Sequence, residues 1–225
     1  MPEFIILNAE TTGLDCNKHL ILETSLALCN TENPYPEKIL YIANELEQPA
    51  WQPDAIKIHS PRIKRLDDEK AIILEKPVKT LEFCNKKGIS VLEYVIGKKS
   101  FPLISAADIF PIPGNAKCKK WLLCGKNPQF ALSFLEKNRW FQVFKLPYDY
   151  HTLDIGNLLL LFSTGTSKES LLQVRSLKSY AYLIEDELGL TDLGFSDSIT
   201  DVIWVCGLVF YCFRLFKENR KQSEV

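Results

Sequence analysis

Val202 to Phe213 reads VIWVCGLVFYCF, twelve residues without a charge, closed by Arg214. A helix on the surface of a soluble domain needs one polar face. This stretch has none, since Trp204, Phe210, Tyr211 and Phe213 fall all around it. A bilayer span needs roughly 20 apolar residues, so the run is too short for a simple transmembrane segment and predicts a buried C-terminal helix and no membrane association. The chain must then be able to wrap that helix, and 225 residues are enough for one sizeable core. With 27 basic and 28 acidic residues there is no overall basic field. Any nucleic-acid contact has to come from a local patch.

Met1 to Asn8 is apolar but carries Glu3 and has no basic region before it, so it reads as a first strand and not as a signal peptide. Cys16, Cys29, Cys84, Cys118, Cys124, Cys206 and Cys212 are odd in number and lack C-x-x-C spacing. Such a set points to reduced thiols in a cytoplasmic protein. With His19, His59 and His151 far apart in sequence, nothing suggests a structural zinc site.

Phe4–Leu7, Leu20–Cys29 and Lys38–Ala43 read as three strands, the last two joined by a hairpin at Asn33-Pro34-Tyr35-Pro36. This meander disfavours a simple doubly wound fold. Beyond it the pattern predicts short helices at Pro53–His59, Val78–Lys87 and Val91–Lys98, the last capped by Ser90. A loop follows over Phe101–Lys117, then a strand at Trp121–Cys124 and a helix at Ala131–Asn138. Thr152–Phe162 starts extended and turns helical near Ile155. A loop at Thr164–Ser167 precedes a helix from Leu171 to Leu188, stopped by Gly189. The last helix is expected from Ile199 to about Glu218, with a frayed polar tail over residues 219–225. One domain, 1–218, accounts for the pattern.

Alternation puts Asn8 and Glu10 on one face of the first strand. The segment Ile5-Ile6-Leu7-Asn8-Ala9-Glu10-Thr11-Thr12-Gly13-Leu14-Asp15 resembles the first motif of the DEDDh (DnaQ-like) 3′→5′ exonucleases, hydrophobic-Asp-x-Glu-Thr-Thr-Gly-Leu-Asp, with Asn8 in place of the Asp. Asn127 and Phe130 fit the second motif, whose metal-binding Asp is Ala131 here. Asp201 fits the Asp of the third motif, and counting back five places puts Ser196 at its general-base His. Pro53–His59 resembles the family's post-sheet helix, and Tyr150–Asp154 resembles the strand and helix start between the last two motifs. The resemblance implies an RNase H-like α/β fold: a mixed sheet, antiparallel in its N-terminal meander and parallel beyond it, flanked by helices. Residues 60–76 and 100–117 are divergent insertions within it.

The family's Asp and Glu residues hold two divalent metals that clamp the attacking and leaving oxygens. Here only Glu10 and Asp201 remain as acids, Asn8 offers a neutral amide oxygen, and Ala131 offers nothing. Mg²⁺ or Mn²⁺ prefers carboxylates and water, so this set implies one weakly held ion at most and no required cofactor. Ser196 lacks the near-neutral pKa that suits a histidine to proton abstraction, and Asp197 beside it is expected to point elsewhere. Glu10 and Asp201 also read as plain fold residues, a strand-end bridge and a first-turn acid favoured by the helix dipole. Asn127 reads as a helix cap. Asp154 and Glu23 read as structural.

The expected function is that of a catalytically impaired pseudo-nuclease that binds 3′ ends of single-stranded DNA or RNA or serves as a subunit of a nucleic-acid-processing complex. The resemblance places Thr11, Thr12, Lys57, His59, Asn127 and Phe130 at the substrate. Arg62, Lys64 and Arg65 extend the basic patch beside Lys57, and Lys117, Lys119 and Lys120 with Trp121 form another. Two alternatives stand beside it. One is an active metal-dependent exonuclease with non-standard ligands. The other is an interaction module whose C-terminal helix meets a second protein or a second copy through Trp204, Phe210, Tyr211 and Phe213.

Overall fold

In a computed structural model of the chain, the described residues are 4–47, 49–66, 71–74, 80–84, 90–96, 99–104, 121–137, 148–162, 184 and 197–223. Strand β1 (Phe4–Thr11) owes its central place to a side-chain pattern that is apolar on both faces. Phe4 and Ile6 enter one core cluster, and Ile5, Leu7 and Ala9 enter another on the opposite face. Full burial of an Ile or Leu side chain is worth roughly 1.5–3 kcal/mol, so a strand built this way is stable only with layers above and below it.

β2 (Ile21–Cys29) runs antiparallel to β1, with Asn8 opposite Ser25 and Glu10 opposite Glu23. β3 (Lys38–Ala43) returns antiparallel to β2. The hairpin between them is held by Asn30, whose side-chain oxygen accepts the amides of Glu32 and Asn33 at 2.8 Å each. β4 (Leu46–Glu47), β5 (Ile63–Leu66) and β6 (Ala71–Leu74) form a separate small sheet in the order β4-β6-β5. β7 (Thr80–Cys84), β8 (Ser90–Ile96) and β9 (Lys99–Ile104) make an antiparallel meander whose last strand adds, parallel, to the outer edge of β3. β10 (Trp121–Gly125) pairs parallel with β1, and β11 (Tyr148–Asp154) pairs parallel with β10. The large sheet therefore reads β11-β10-β1-β2-β3-β9-β8-β7.

Four helices complete the described structure: α1 (Pro53–His59), α2 (Pro128–Lys137), α3 (Ile155–Phe162) and α4 (Ser198–Ser223). Pro53 opens α1, where a missing backbone N–H costs nothing. Asp154 ends β11 and caps α3 by accepting the Gly156 amide at 2.9 Å, so the strand turns helical at Ile155 as its sequence predicts. α2 covers the β1 face that carries Ile5, Leu7 and Ala9, and α4 covers the face that carries Phe4 and Ile6.

Several expectations need correction. Residues 80–84 and 90–96 are strands, not helices, and Ser90 opens β8 instead of capping a helix. Short apolar runs do not distinguish the two by pattern, and the pairing of β8 with both β7 and β9 decides the matter. Residues 60–66 and 71–74 form a 3₁₀ turn (Ser60–Arg62), β5 and β6. The start of the expected Phe101–Lys117 loop, within the 100–117 insertion, belongs to β9, and its remainder lies outside the described residues. So do Thr164–Ser167, Gly189 and the expected helix at 171–188, except for residue 184. The C-terminal tail is helical through Ser223.

Within α4, Ser198–Arg220 is long and apolar enough, by length and composition alone, to cross a membrane. Most of that stretch is buried within the chain's own fold, as in the core helix of a globular domain. Trp204, expected at an interface, lies in the core with 1% of its surface exposed, while Tyr211 and Phe213 are half-buried against the same cluster. Phe210 is also half-buried.

Candidate functional site

The C-terminal half of β1 exchanges apolar for polar side chains on the face beneath α4. Asn8 and Glu10 share that face, and Asp201 comes down onto it from the first turn of α4. The Asn8 amide nitrogen donates to Glu10 Oε1 at 3.1 Å and to Asp201 Oδ2 at 3.2 Å. In this orientation the Asn8 amide acts as a donor to both acid groups. One neutral NH₂ thus bridges two carboxyls that would otherwise repel.

The electrostatics follow from this crowding. Burial, then Asp201, then Glu23 push the Glu10 carboxyl up to about 8, against which the Asn8 hydrogen bond pulls only weakly. Burial and Asp197 push Asp201 up to about 7. Near neutral pH the pair therefore holds protons where free carboxylates would hold none. His59, at the end of α1, places Nε2 3.5 Å from Glu10 Oε2 and is 97% buried, with 3% of its side chain exposed. Burial also lowers its own pKa, which favours the neutral ring. Among the described residues its Nδ1 has no hydrogen-bond partner.

Glu10 and His59 line a cleft of about 210 Å³ with Ala9, Thr11, Gly13, Leu14, Gln52, Asp54, Ala55, Ile58 and Phe130. One wall is the turn after β1. There the Thr11 hydroxyl donates to the Gly13 carbonyl at 2.7 Å, and the Leu14 amide donates to the Gln52 side chain at 3.0 Å. Gly13 leaves room for the His19 ring, which a Cβ there would meet at 2.6 Å and displace. The other wall is α1. Leu14 and Ile58 stand at the mouth, 75% and 57% exposed.

The sequence-predicted residues divide into those this site gathers and those it does not. Asn8, Glu10 and Asp201 converge, and Thr11, His59 and Phe130 line the cleft. Thr12 does not. It is fully buried, its hydroxyl accepts the Leu20 amide at 3.0 Å, and it can touch no substrate. Lys57 is exposed on α1. Asn127 takes a left-handed φ of 52°, which Asn tolerates better than most residues, and its carbonyl accepts the Phe130 amide at 3.0 Å. Ala131 does not face the acids: it packs with Ile5, Leu7 and Ala9 on the other side of β1. Ser196 lies outside the described residues. Its neighbour Asp197 caps α4, accepting from the Thr200 amide at 2.8 Å and the Thr200 hydroxyl at 3.0 Å, so its carboxylate is committed there.

A further correction concerns Arg62, expected in a solvent-facing basic patch. It forks onto Glu23, with Nη1 3.0 Å from Oε1 and Nη2 2.6 Å from Oε2. Glu23 is fully buried and also accepts the Tyr41 hydroxyl at 2.7 Å and the Ser198 amide at 2.8 Å. No local signal in the sequence announces this knot, because its members lie on β2, β3, the turn after α1 and the start of α4.

Two metals do not fit this donor set. The Asn8 N–H groups point at the acids, Ala131 brings no oxygen, and among the described residues no three His, Cys, Asp or Glu side chains are gathered to hold an ion. Neither a protein-family model nor a curated protein matches the chain.

Proposed function

We propose that this chain is a catalytically silent relative of the DEDDh exonucleases that binds the 3′ end of a single-stranded nucleic acid without cleaving it. The observation that carries the reading is the Asn8 bridge. An amide nitrogen sits between Glu10 and Asp201, where a hydrolytic centre of that family would put a cation. Phosphodiester hydrolysis of that kind needs a clamp on two oxygens and an acceptor for the proton of water. An uncharged NH₂ supplies neither, and Asp197 is occupied in capping α4.

The sheet supports the family part of the reading. Five of its eight strands, β3-β2-β1-β10-β11, form a mixed block in which only β2 runs against the others, an arrangement compatible with an RNase H-like sheet. The cleft supports the binding part. Its volume suits one unstacked base, and Leu14, Ile58 and Phe130 offer apolar faces for it. Stacking and apolar contact of this kind contribute about 1–3 kcal/mol per base and tolerate any sequence. Lys57 and Lys126 are exposed nearby, on α1 and just after β10, as candidates for phosphate contact.

The test is fluorescence anisotropy of a 5′-labelled ten-nucleotide single strand, DNA and RNA, with either a 3′-hydroxyl or a 3′-phosphate. Low-salt binding that prefers the 3′-hydroxyl and persists in EDTA is expected. Release of mononucleotides with Mg²⁺ or Mn²⁺ that vanishes in Glu10→Ala would establish the active-enzyme alternative instead. With Trp204 in the core, the C-terminal helix offers less to a partner than its sequence suggests.

A further inference from the structure

Glu23 is fully buried and does not itself line the cleft, although it stands opposite Glu10 in the β1–β2 pair. A buried ion pair is a poor device for stability alone, because desolvation of both charges offsets their attraction and an apolar pair of similar volume often does as well. What such a pair does supply is direction. The fork of Arg62 fits a carboxylate in one geometry only.

The elements joined here matter. Arg62 ends the 3₁₀ turn that directly continues α1, and α1 carries Asp54, Ala55, Ile58 and His59 of the cleft wall. Glu23 sits directly opposite Glu10 in the β1–β2 register, so it is anchored one strand from the cleft floor. Its two oxygens also receive Tyr41 from β3 and the Ser198 amide, which opens the helix that delivers Asp201. Ser25, next but one on β2, adds a hydroxyl contact to Ser198 at 2.6 Å.

We infer that Arg62 and Glu23 are positioning residues, which fix α1 and the first turn of α4 against β2 and so set the spacing between the two walls of the cleft. The inference rests on the binding reading above for its consequence in affinity, but not for its structural content. His59 and Ile58 are three and four residues from Arg62 along a continuous helical path, so a loosened fork lets the α1 wall drift from Glu10 without altering any group that touches ligand.

The experiment uses the full chain and Arg62→Lys, which keeps the charge and loses the fork, together with Glu23→Gln, which keeps the shape and loses the charge. Amide hydrogen exchange is read first. Exchange at least about tenfold faster in residues 53–62 and the first turn of α4, with β1 to β3 still protected, is the expected result. Unchanged exchange, or a uniform loss of protection over the whole sheet, overturns the inference. Affinity is read second, on the 3′-hydroxyl single strand at a temperature where each variant is fully folded. About tenfold weaker binding with unchanged β-sheet protection supports the positioning role, and wild-type affinity in both variants overturns it. A wild-type chain that binds no oligonucleotide removes the functional reading, and the exchange pattern then decides this one by itself.

Discussion

Asn8 in the first strand donates to Asp201 in the last helix at 3.2 Å, across 193 residues of chain. With a second contact to Glu10, the amide links the first strand to the last helix through both acids. Asn8→Asp should reverse this. Three acid groups would then crowd one point, and the metal-free variant is expected to lose about 1–3 kcal/mol, as for other uncompensated buried polar groups. Millimolar Mn²⁺ should restore several degrees of Tm to the variant and change the wild type little, because an ion held only by the folded state stabilises by mass action. Thermal unfolding with and without Mn²⁺ checks both halves.

The raised pKa values of Glu10 and Asp201 make stability depend on pH in a defined direction. Each group binds its proton more tightly folded than unfolded, so its contribution is complete below the unfolded value and is lost as pH rises through the folded one. The windows run from 4.5 to about 8 for Glu10 and from 3.8 to about 7 for Asp201. Urea unfolding should show stability falling between pH 5 and 8, with a slope of up to about 1.4 kcal/mol per pH unit for each proton. In Glu10→Gln the part of the fall that lies above about pH 7 should flatten. A wild-type stability that climbs across the same range would contradict these shifts.

Arg62→Met should be costly. It leaves Glu23 buried with, among the described residues, neutral donors from Tyr41 and Ser198, and breaking a buried pair on one side typically costs about 3–5 kcal/mol. Chemical denaturation gives the number. Replacement of exposed Lys57 by Met, five residues away, is expected to stay within about 0.5 kcal/mol.

Trp204→Ala and Phe216→Ala separate core from surface on one helix. Trp204 is 1% exposed and Phe216 is 47% exposed. The first change should cost about 3–5 kcal/mol, the second less than about 1 kcal/mol. Oligomeric state measured by light scattering should be the same for Phe216→Ala as for the wild type.

Leu14→Ala and Ile58→Ala should lower affinity for a single strand while leaving Tm nearly unchanged. Both side chains are mostly solvent-facing at the cleft mouth, so little folding energy depends on them. A loss of about 1 kcal/mol each, or roughly fivefold in Kd, is the expected scale. Anisotropy titrations at one fixed salt concentration measure it.

Local pattern and its limits account for what could be read in advance. Asn8 and Glu10 share a face because strand alternation is a property of the backbone, and the chain turns helical at Ile155 because the signals for it are local, the Asp154 side chain reaching only two residues on. Both were legible. β8 was not: Val91 to Ile96, broken only by Glu93, is too short to reveal its period, and its partners β7 and β9 fix its state from outside. Arg62 looked like one more surface cation because its partner stands 39 residues away on β2. Thr12 belonged to a motif that suggested a contact, yet its hydroxyl closes the turn onto Leu20. In the same way Ala131 was aligned to a metal-binding position, while its methyl belongs to the packing beneath β1.

The parallel pairing of β9 with β3 has its own consequence. Ile39 and Leu40 register with Leu103 and Ile104, so the outer margin of β3 already has its hydrogen-bonding partner. Excising residues 63–104 as a dispensable excursion would strip that margin bare and offer a row of free amides and carbonyls to any extended chain nearby. Such a shortened protein should come out of expression as an insoluble aggregate, even though the excision spares β1, β2, α4 and all three members of the Asn8 bridge.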